Sequence, residues 1–105
     1  MHADKKYAEM LIYIEACESG SMFENYLTSE INVYATTAAN SKESSWAAYC
    51  SPQDKVNGKS IGSCLADEYS KNWLEDSDDH IATKTGESVG DQYDEVKTKT
   101  TKSHV

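Results

Sequence analysis

The longest apolar run in the chain is Met10-Leu-Ile-Tyr-Ile14. It is continuous rather than alternating, and rich in β-branched and aromatic residues, so it predicts a strand covered on both faces of a parallel sheet. Before it, Asp4–Glu9 reads as the end of a helix. After it, Glu15–Ser21 breaks the pattern with small and polar residues, and Met22–Leu27 suits a short helical turn. Ile31-Asn-Val-Tyr-Ala-Thr-Thr37 predicts a second strand. From Ala38 to Gly62 the chain has loop character, with Asn57-Gly58 a strong turn signal. Leu65, Tyr69 and Trp73 recur at i, i+4 and i+8, predicting an amphipathic helix over Leu65–Glu75. Asp76–His80 reads as a polar break. Val89, Tyr93 and Val96 form another helical stripe, weakened by Gly90. Lys97–Lys102 is polar. The order strand, loop, strand, long loop, helix, helix indicates α/β architecture without internal repeats.

Composition sharpens this picture. Only 38% of the 105 residues are apolar, and seven Tyr and two Trp supply much of their bulk. Such a chain builds a thin core by itself. Apolar runs set between wide polar stretches suit strands inside a larger sheet, so the chain reads as a fragment. A net charge of -8 argues against nucleic acid or an anionic membrane as partner. The Met10–Ile14 run is far too short to span a bilayer. His2–Lys6 is polar and opens no signal-peptide pattern, which carries no weight in a fragment. Three cysteines are an odd count. One pair plus one free thiol is the natural partition and implies an oxidising compartment.

Cys17 lies just past the C-terminal end of the first strand, where open α/β sheets place their active sites. A helix beginning within Ser19–Glu24 would favour its thiolate and stabilise an oxyanion. The ordinary alternative is a small buried hydrophobe. A thiolate enzyme also needs a base, and none of His2, His80 and His104 follows an apolar strand. Each reads as a surface or structural histidine, leaving the Cys–His pair incomplete. The run Glu75-Asp-Ser-Asp-Asp79 with His80 lacks the pattern of a calcium loop, and one histidine is thin evidence for zinc. It reads as a solvated helix end, so no metal site is expected. Ser19 and Ser21 form no G-x-S-x-G elbow, and there is no phosphate-binding glycine loop or CxxC pair. No cofactor is expected.

The segment Tyr13-Ile-Glu-Ala-Cys-Glu-Ser-Gly-Ser-Met-Phe23 resembles the nucleophile segment of legumains, the asparaginyl endopeptidases also called vacuolar processing enzymes. The resemblance continues through Ile31-Asn-Val-Tyr-Ala-Thr-Thr-Ala-Ala-Asn40, Glu43-Ser-Ser-Trp46, Tyr69-Ser with Trp73, and Glu75-Asp-Ser-Asp78. It implies a caspase-like α/β fold, present as a partial peptidase domain over residues 1–105 that lacks the first strands and the last strand of the sheet. Cys17 would be the nucleophile, and its histidine, in an Asp-His-Gly motif, would lie upstream of residue 1, making Met1 internal. The positions matching the pocket for the asparagine preceding the scissile bond (P1) are Glu15, Ser44 and Asp67. For these acids the ordinary readings are a strand-end charge at Glu15 and a helix N-terminal residue at Asp67. Cys50 and Cys64 correspond to a cysteine pair of plant-type members, although the loop between them has only Pro52 where the plant version is proline-rich. Gly86 and Gly90 also replace stronger helix formers. The resemblance further implies peptide or protein substrates with Asn at P1, a dependence on the remainder of the domain, and a vacuolar or lysosomal location. A truncated or pseudo-peptidase that only binds peptides, and a ligase of the same family, are the alternatives.

Overall fold

In the computed structural model, which describes residues 1–105, the first apolar run forms β1, Met10–Ile14. It pairs in parallel with β2, Val33–Thr37, in register from Met10 opposite Val33 to Ile14 opposite Thr37. The ladder extends beyond both ends, through Met10 N–H to Asn32 O at 3.0 Å and Ala38 N–H to Ile14 O at 3.0 Å. Short 3-10 turns at Ser19–Met22 and Ser29–Ile31 occupy the crossover between the strands.

Two helices, α1 (Glu68–Thr83) and α2 (Val89–Lys99), pack on one face of this pair. Side chains alternate across a strand, so Tyr13 on β1 and Tyr34 and Thr36 on β2 share that face. Tyr13 stacks on Trp73 with ring centroids 4.5 Å apart, and Tyr34 meets Tyr93 edge-on at 6.5 Å. The Tyr13 hydroxyl bonds Gln92, and the Tyr69 hydroxyl bonds Thr36. Burial pushes the Tyr69 phenol up to about 12. Ala38, Tyr69 and Val96 form the core cluster beneath these contacts.

That core is small. Of the twelve buried residues only Ala38, Ala39, Tyr69 and Val96 are hydrophobic. The full coverage of β1 expected from its continuous apolar run is not found: no β1 residue is fully buried, and Leu11, on the same helix-bearing face as Tyr13, is 40% exposed. The run matches a covered strand, but this chain supplies a helical layer to one face alone.

Three further readings are corrected. Asp4–Glu9 forms no helix; His2–Lys5 turns, with Lys5 at φ 51, and the stretch is too short to sustain a helical ladder. The expected loop from Ala38 to Gly62 contains β3 (Ala47–Ala48) and a hairpin of β4 (Lys55–Val56) and β5 (Lys59–Ser60). Asn57 and Gly58 make its turn with φ of 50 and 79, as a two-residue hairpin with both central residues left-handed requires. The first helix begins at Glu68 rather than Leu65. Leu65 N–H donates to Tyr49 O, and Ala66–Asp67 (β6) pairs antiparallel with β3, so these residues are held extended.

The second helix begins where its stripe predicts. Ser88 caps it, its hydroxyl accepting from Asp91 N–H at 3.1 Å while Asp91 accepts from Ser88 N–H at 3.3 Å. This reciprocal box contributes about 1 kcal/mol and offsets Gly90.

Asp76–His80 is not a solvated helix end. It lies inside α1, which runs on to a left-handed cap at Lys84. Asp76, one turn beyond buried Asn72, is itself only 3% exposed. Composition hid this because the inward stripe is polar here, with partners on α2: Gln92 Nε2 at 3.4 Å and Lys99 Nζ at 4.0 Å from the Asp76 carboxylate.

His80 closes the same junction. Its Nδ1 lies 3.0 Å from Asp76 O, 3.5 Å from the Glu87 carboxylate and 3.9 Å from that of Asp76. The Asp76 carbonyl raises its pKa most, followed by the charges of Glu87, Asp76 and Asp79. Glu87 is also raised, first by burial and then by Asp76. Both shifts mean that folding favours the protonated form. The His80 contribution is therefore full below the ordinary histidine value of about 6.5 and fades as pH climbs through the higher folded value. Thermal melts should show Tm falling as pH rises above about 6.5, with His80→Gln flattening the fall. A fall of equal depth in the variant would remove His80 as its source.

Candidate active site

Cys17 is exposed and unbridged, carried on the turn that leaves β1. Glu18 follows in a left-handed conformation at φ 57, which turns the chain sharply back toward the end of β2. Ser19 and Gly20 then fasten it there. The Ser19 hydroxyl, 1% exposed, donates to Ala39 O at 3.2 Å and accepts from Ala39 N–H at 3.1 Å. Gly20 N–H donates to Ala39 O at 2.9 Å. A Cβ on Gly20 would sit 3.0 Å from Ser41 N and 3.1 Å from the Asn40 carbonyl carbon, tight contacts with backbone that glycine avoids. The Glu-Ser-Gly sequence after Cys17 thus has a local reason: a tight turn, a two-way hydroxyl clamp, and a missing side chain where two backbones meet.

The facing loop, residues 40–45, supplies the thiol's neighbours. Cys17 Sγ is 4.0 Å from Ser45 O and 3.9 Å from Ser45 Oγ. The thiol pKa is lowered, chiefly by the backbone hydrogen bond of Ser45 and then by the hydroxyls of Ser45 and Ser44, against slight desolvation and the charge of Glu18. The expected helix start at Ser19–Glu24 does not supply this effect. The segment is a single 3-10 turn of four residues, too short for a macrodipole, and Glu18, Gly20 and Ser21 N–H are already bonded within the chain. Cys17 N–H itself makes no intrachain hydrogen bond.

Glu15, Ser44 and Asp67 come to the same end of the fold, each through a different link. Glu15, just beyond β1, accepts with Oε2 from Ser70 N–H at 3.0 Å and Ser70 Oγ at 2.9 Å, capping α1 from another element. Its Oε1 is buried without any partner. Asp67 occupies the N-cap position of α1 without a side-chain capping bond. The β3–β6 ladder and Glu68 N–H to Trp46 O at 2.8 Å tie that position to the loop bearing Ser44. Ser44 and Asp67 are both exposed.

Cys50 and Cys64 are joined in a disulfide across the β4–β5 hairpin. Inside that loop Asp54, 1% exposed, accepts from Ser60 Oγ at 2.5 Å and Gly62 N–H at 3.0 Å. These bonds, Ser60 foremost, lower its pKa.

No histidine bonds the thiol. His2 lies beside Tyr7, His80 sits at the helix junction, and His104 bonds Glu43. Asp76, His80 and Glu87 bring ligand atoms within 4.8 Å of one another, but Gln92 and Lys99 already answer Asp76. A groove of about 500 Å³ is lined by Met10, Val33 and Val89 among others. It opens at the N-terminal ends of the strands, opposite Cys17.

Sequence reasoning missed Ser70 and the roles of Glu43 and Ser45. The spacing Asn40-x-x-Glu43 was the one local signal, since Glu43 accepts from Asn40 N–H at 2.9 Å in a side-chain-closed turn.

The Peptidase C13 family matches residues 1–105. The chain is 55% identical over 97 residues to the vacuolar-processing enzyme delta-isozyme of Arabidopsis thaliana, covering 92% of this chain and 20% of that protein. It is 47% identical over 105 residues to a hemoglobinase of Schistosoma mansoni, covering 100% of this chain and 23% of that protein. With a vacuolar-processing enzyme of Glycine max the identity is 46% over 99 residues, 94% of this chain and 20% of that protein. The chain spans about a fifth of the length of these relatives. A match that runs from the first residue to the last places the chain in the Peptidase C13 family of legumain-type cysteine peptidases.

Proposed function

We propose that residues 1–105 are the nucleophile-bearing part of an asparaginyl endopeptidase with a caspase-like fold, completed by sequence on either side. The small core supports this reading. So does a radius of gyration of 15.9 Å, against the ~13 Å of a compact domain of this length. Cys17 is the nucleophile. Its thiolate forms a C–S bond to the backbone carbonyl carbon of the P1 asparagine, and the Cys17 N–H, free of intrachain partners, helps hold the oxyanion. The C–N bond then breaks, the amine leaves with a proton from the histidine supplied upstream, and water hydrolyses the thioester. Peptides and proteins with Asn at P1 are the substrates. The names of the plant relatives favour the vacuole, or an equivalent lysosome, and the disulfide fits such an oxidising route.

The observation that carries the specificity is the buried, unpartnered Glu15 Oε1 at the N-terminus of α1. A buried acceptor without a donor is costly, and the side-chain amide of asparagine is a donor that would satisfy it. Asp67 and Ser44, brought to the same end, complete the pocket. Asp67→Ala in the full-length peptidase should lower kcat/KM for Asn substrates by about 2–4 kcal/mol. Cleavage after aspartate should require acid pH, because an ionised substrate carboxylate would face Glu15 and Asp67. The measurement is a P1 substrate profile of wild type and Asp67→Ala; unchanged profiles, with Cys17 labelling intact, would remove Asp67 from the pocket.

A second reading rests on the absence of any histidine bonded to Cys17 within the chain. Should no longer product carry an upstream Asp-His-Gly segment, residues 1–105 bind peptides without cleaving them. A transcript that extends upstream to that motif decides for the peptidase. Ligase activity would differ only in the acceptor, an amine in place of water.

A further inference from the structure

Glu43 takes no part in the proposed reaction, yet three segments of the chain meet on it. Its Oε1 accepts from Asn40 N–H at 2.9 Å and from His104 N–H at 2.7 Å. Its Oε2 lies 2.9 Å from His104 Nδ1. Its own carbonyl accepts from Glu18 N–H at 2.7 Å, directly beside the nucleophile. Two residues on, Ser45 stands against the thiol, its carbonyl O 4.0 Å and its Oγ 3.9 Å from Cys17 Sγ. Behind His104, Ser103 Oγ donates to Ala38 O at 2.5 Å, and Glu68 at the start of α1 accepts from Thr101 Oγ1 and Lys102 N–H, both at 3.1 Å. The tail from 101 to 104 is therefore anchored independently of Glu43 and offers it a fixed point.

We infer that Glu43 is a positioning residue, whose carboxylate, held by Asn40 and His104, fixes the loop of residues 40–45 against Cys17 and so sets where the thiol stands. This inference rests on the reading of Cys17 as nucleophile.

Several features favour positioning over simple stapling. Glu43 is the one side chain joining the loop to both the tail and its own preceding turn, and its backbone reaches the residue after the nucleophile. The bonds hold its carboxyl at about 2, the Asn40 N–H contributing most, so it remains an acceptor at any acidic working pH. Without it, Asn40 and His104 N–H turn to water, and the loop loses the anchor that keeps Ser45 against the sulfur. The thiol would then titrate higher. A direct effect of removing negative charge has the opposite sign, and Glu18 is the charged neighbour acting on the thiol. The sign of the change therefore separates position from charge.

The test uses the full-length protein carrying this segment, as wild type, Glu43→Ala, Glu43→Gln and His104→Ala. It measures iodoacetamide labelling of Cys17 against pH, kcat and KM on an Asn peptide, and Tm. In Glu43→Ala the labelling profile should move up by about one pH unit, equivalent to about tenfold less thiolate below it, and kcat should fall at least as far with KM nearly unchanged. Glu43→Gln keeps a carbonyl acceptor for the two backbone N–H groups and should recover most of both. His104→Ala should fall between them. An unmoved labelling profile and kcat in Glu43→Ala, even with a lower Tm, would overturn the inference, as would a downward shift. If Glu43→Ala does not fold, the same two readouts in His104→Ala decide. Wild-type protein that labels at Cys17 but never cleaves Asn peptides would defeat the peptidase reading alone, leaving the labelling profile to judge Glu43.

Discussion

Replacing Cys17 by serine in the full-length protein is expected to reduce cleavage after asparagine on the order of 10³-fold or more, with folding intact. Cys17 is exposed and makes only long contacts to Ser45, so an oxygen in place of sulfur removes little packing. What it removes is a group whose anion forms near neutral pH. The bonds from Ser45 and Ser44 that lower the thiol pKa have no comparable effect on an alcohol, whose own pKa lies far above that range. The same magnitude of loss is expected for wild-type residues 1–105 assayed alone, for a different reason. The proposed nucleophile is present, but His2, His80 and His104 bond or pack elsewhere, so none is placed to take its proton. The two losses are separable with a thiol reagent: wild-type 1–105 should still label at Cys17, and the serine variant should not. Robust Asn cleavage by residues 1–105, abolished by Cys17→Ser, would show that the chain contains its own base and would contradict the proposal of an upstream histidine.

Gly20→Ala is expected to damage both stability and activity more than its single methyl suggests. The new Cβ would meet Ser41 N at 3.0 Å, the Asn40 carbonyl carbon at 3.1 Å and Ala39 O at 3.2 Å, all backbone atoms. Backbone cannot rotate aside as a flexible side-chain end can. Either the nucleophile turn or the segment 39–41 must move, at a cost of about 1–3 kcal/mol. The Ser19 clamp on Ala39 would open with it, since both of its bonds depend on that spacing. Cys17 sits three residues before Gly20, and a displacement of about 1 Å at a nucleophile can cost about 10²-fold in rate. Thermal melts and kcat/KM of the full-length variant check this. A Gly20→Ala protein with wild-type Tm and activity would mean that the backbone approach yields without strain.

Cys17 shows how far the sequence reaches and where it stops. An apolar run ending in small polar residues was enough to place a cysteine at the C-terminal edge of a parallel strand, because strand period and sheet chemistry are local properties. The stripe at Val89, Tyr93 and Val96 and the turn at Asn57-Gly58 were legible for the same reason. The start of α1 was not, since Leu65–Asp67 fits a helix by periodicity but is held extended by Tyr49 and β3, partners distant along the chain. Asp76 was misread because a buried carboxylate and a solvated one look alike until Gln92 and Lys99 arrive from α2. The sequence by itself determined the α/β class, the place of Cys17 just past β1 and the family resemblance. The tertiary structure alone decided that Ser45, rather than a helix N-terminus, stands against the thiol, that Glu15 caps α1 with one oxygen left over, and that Glu43 gathers three segments behind the site. Each of those facts turns on contacts between residues far apart in sequence, Cys17 with Ser45, Glu15 with Ser70 and Glu43 with His104, and no local pattern encodes which donor a buried acceptor will meet.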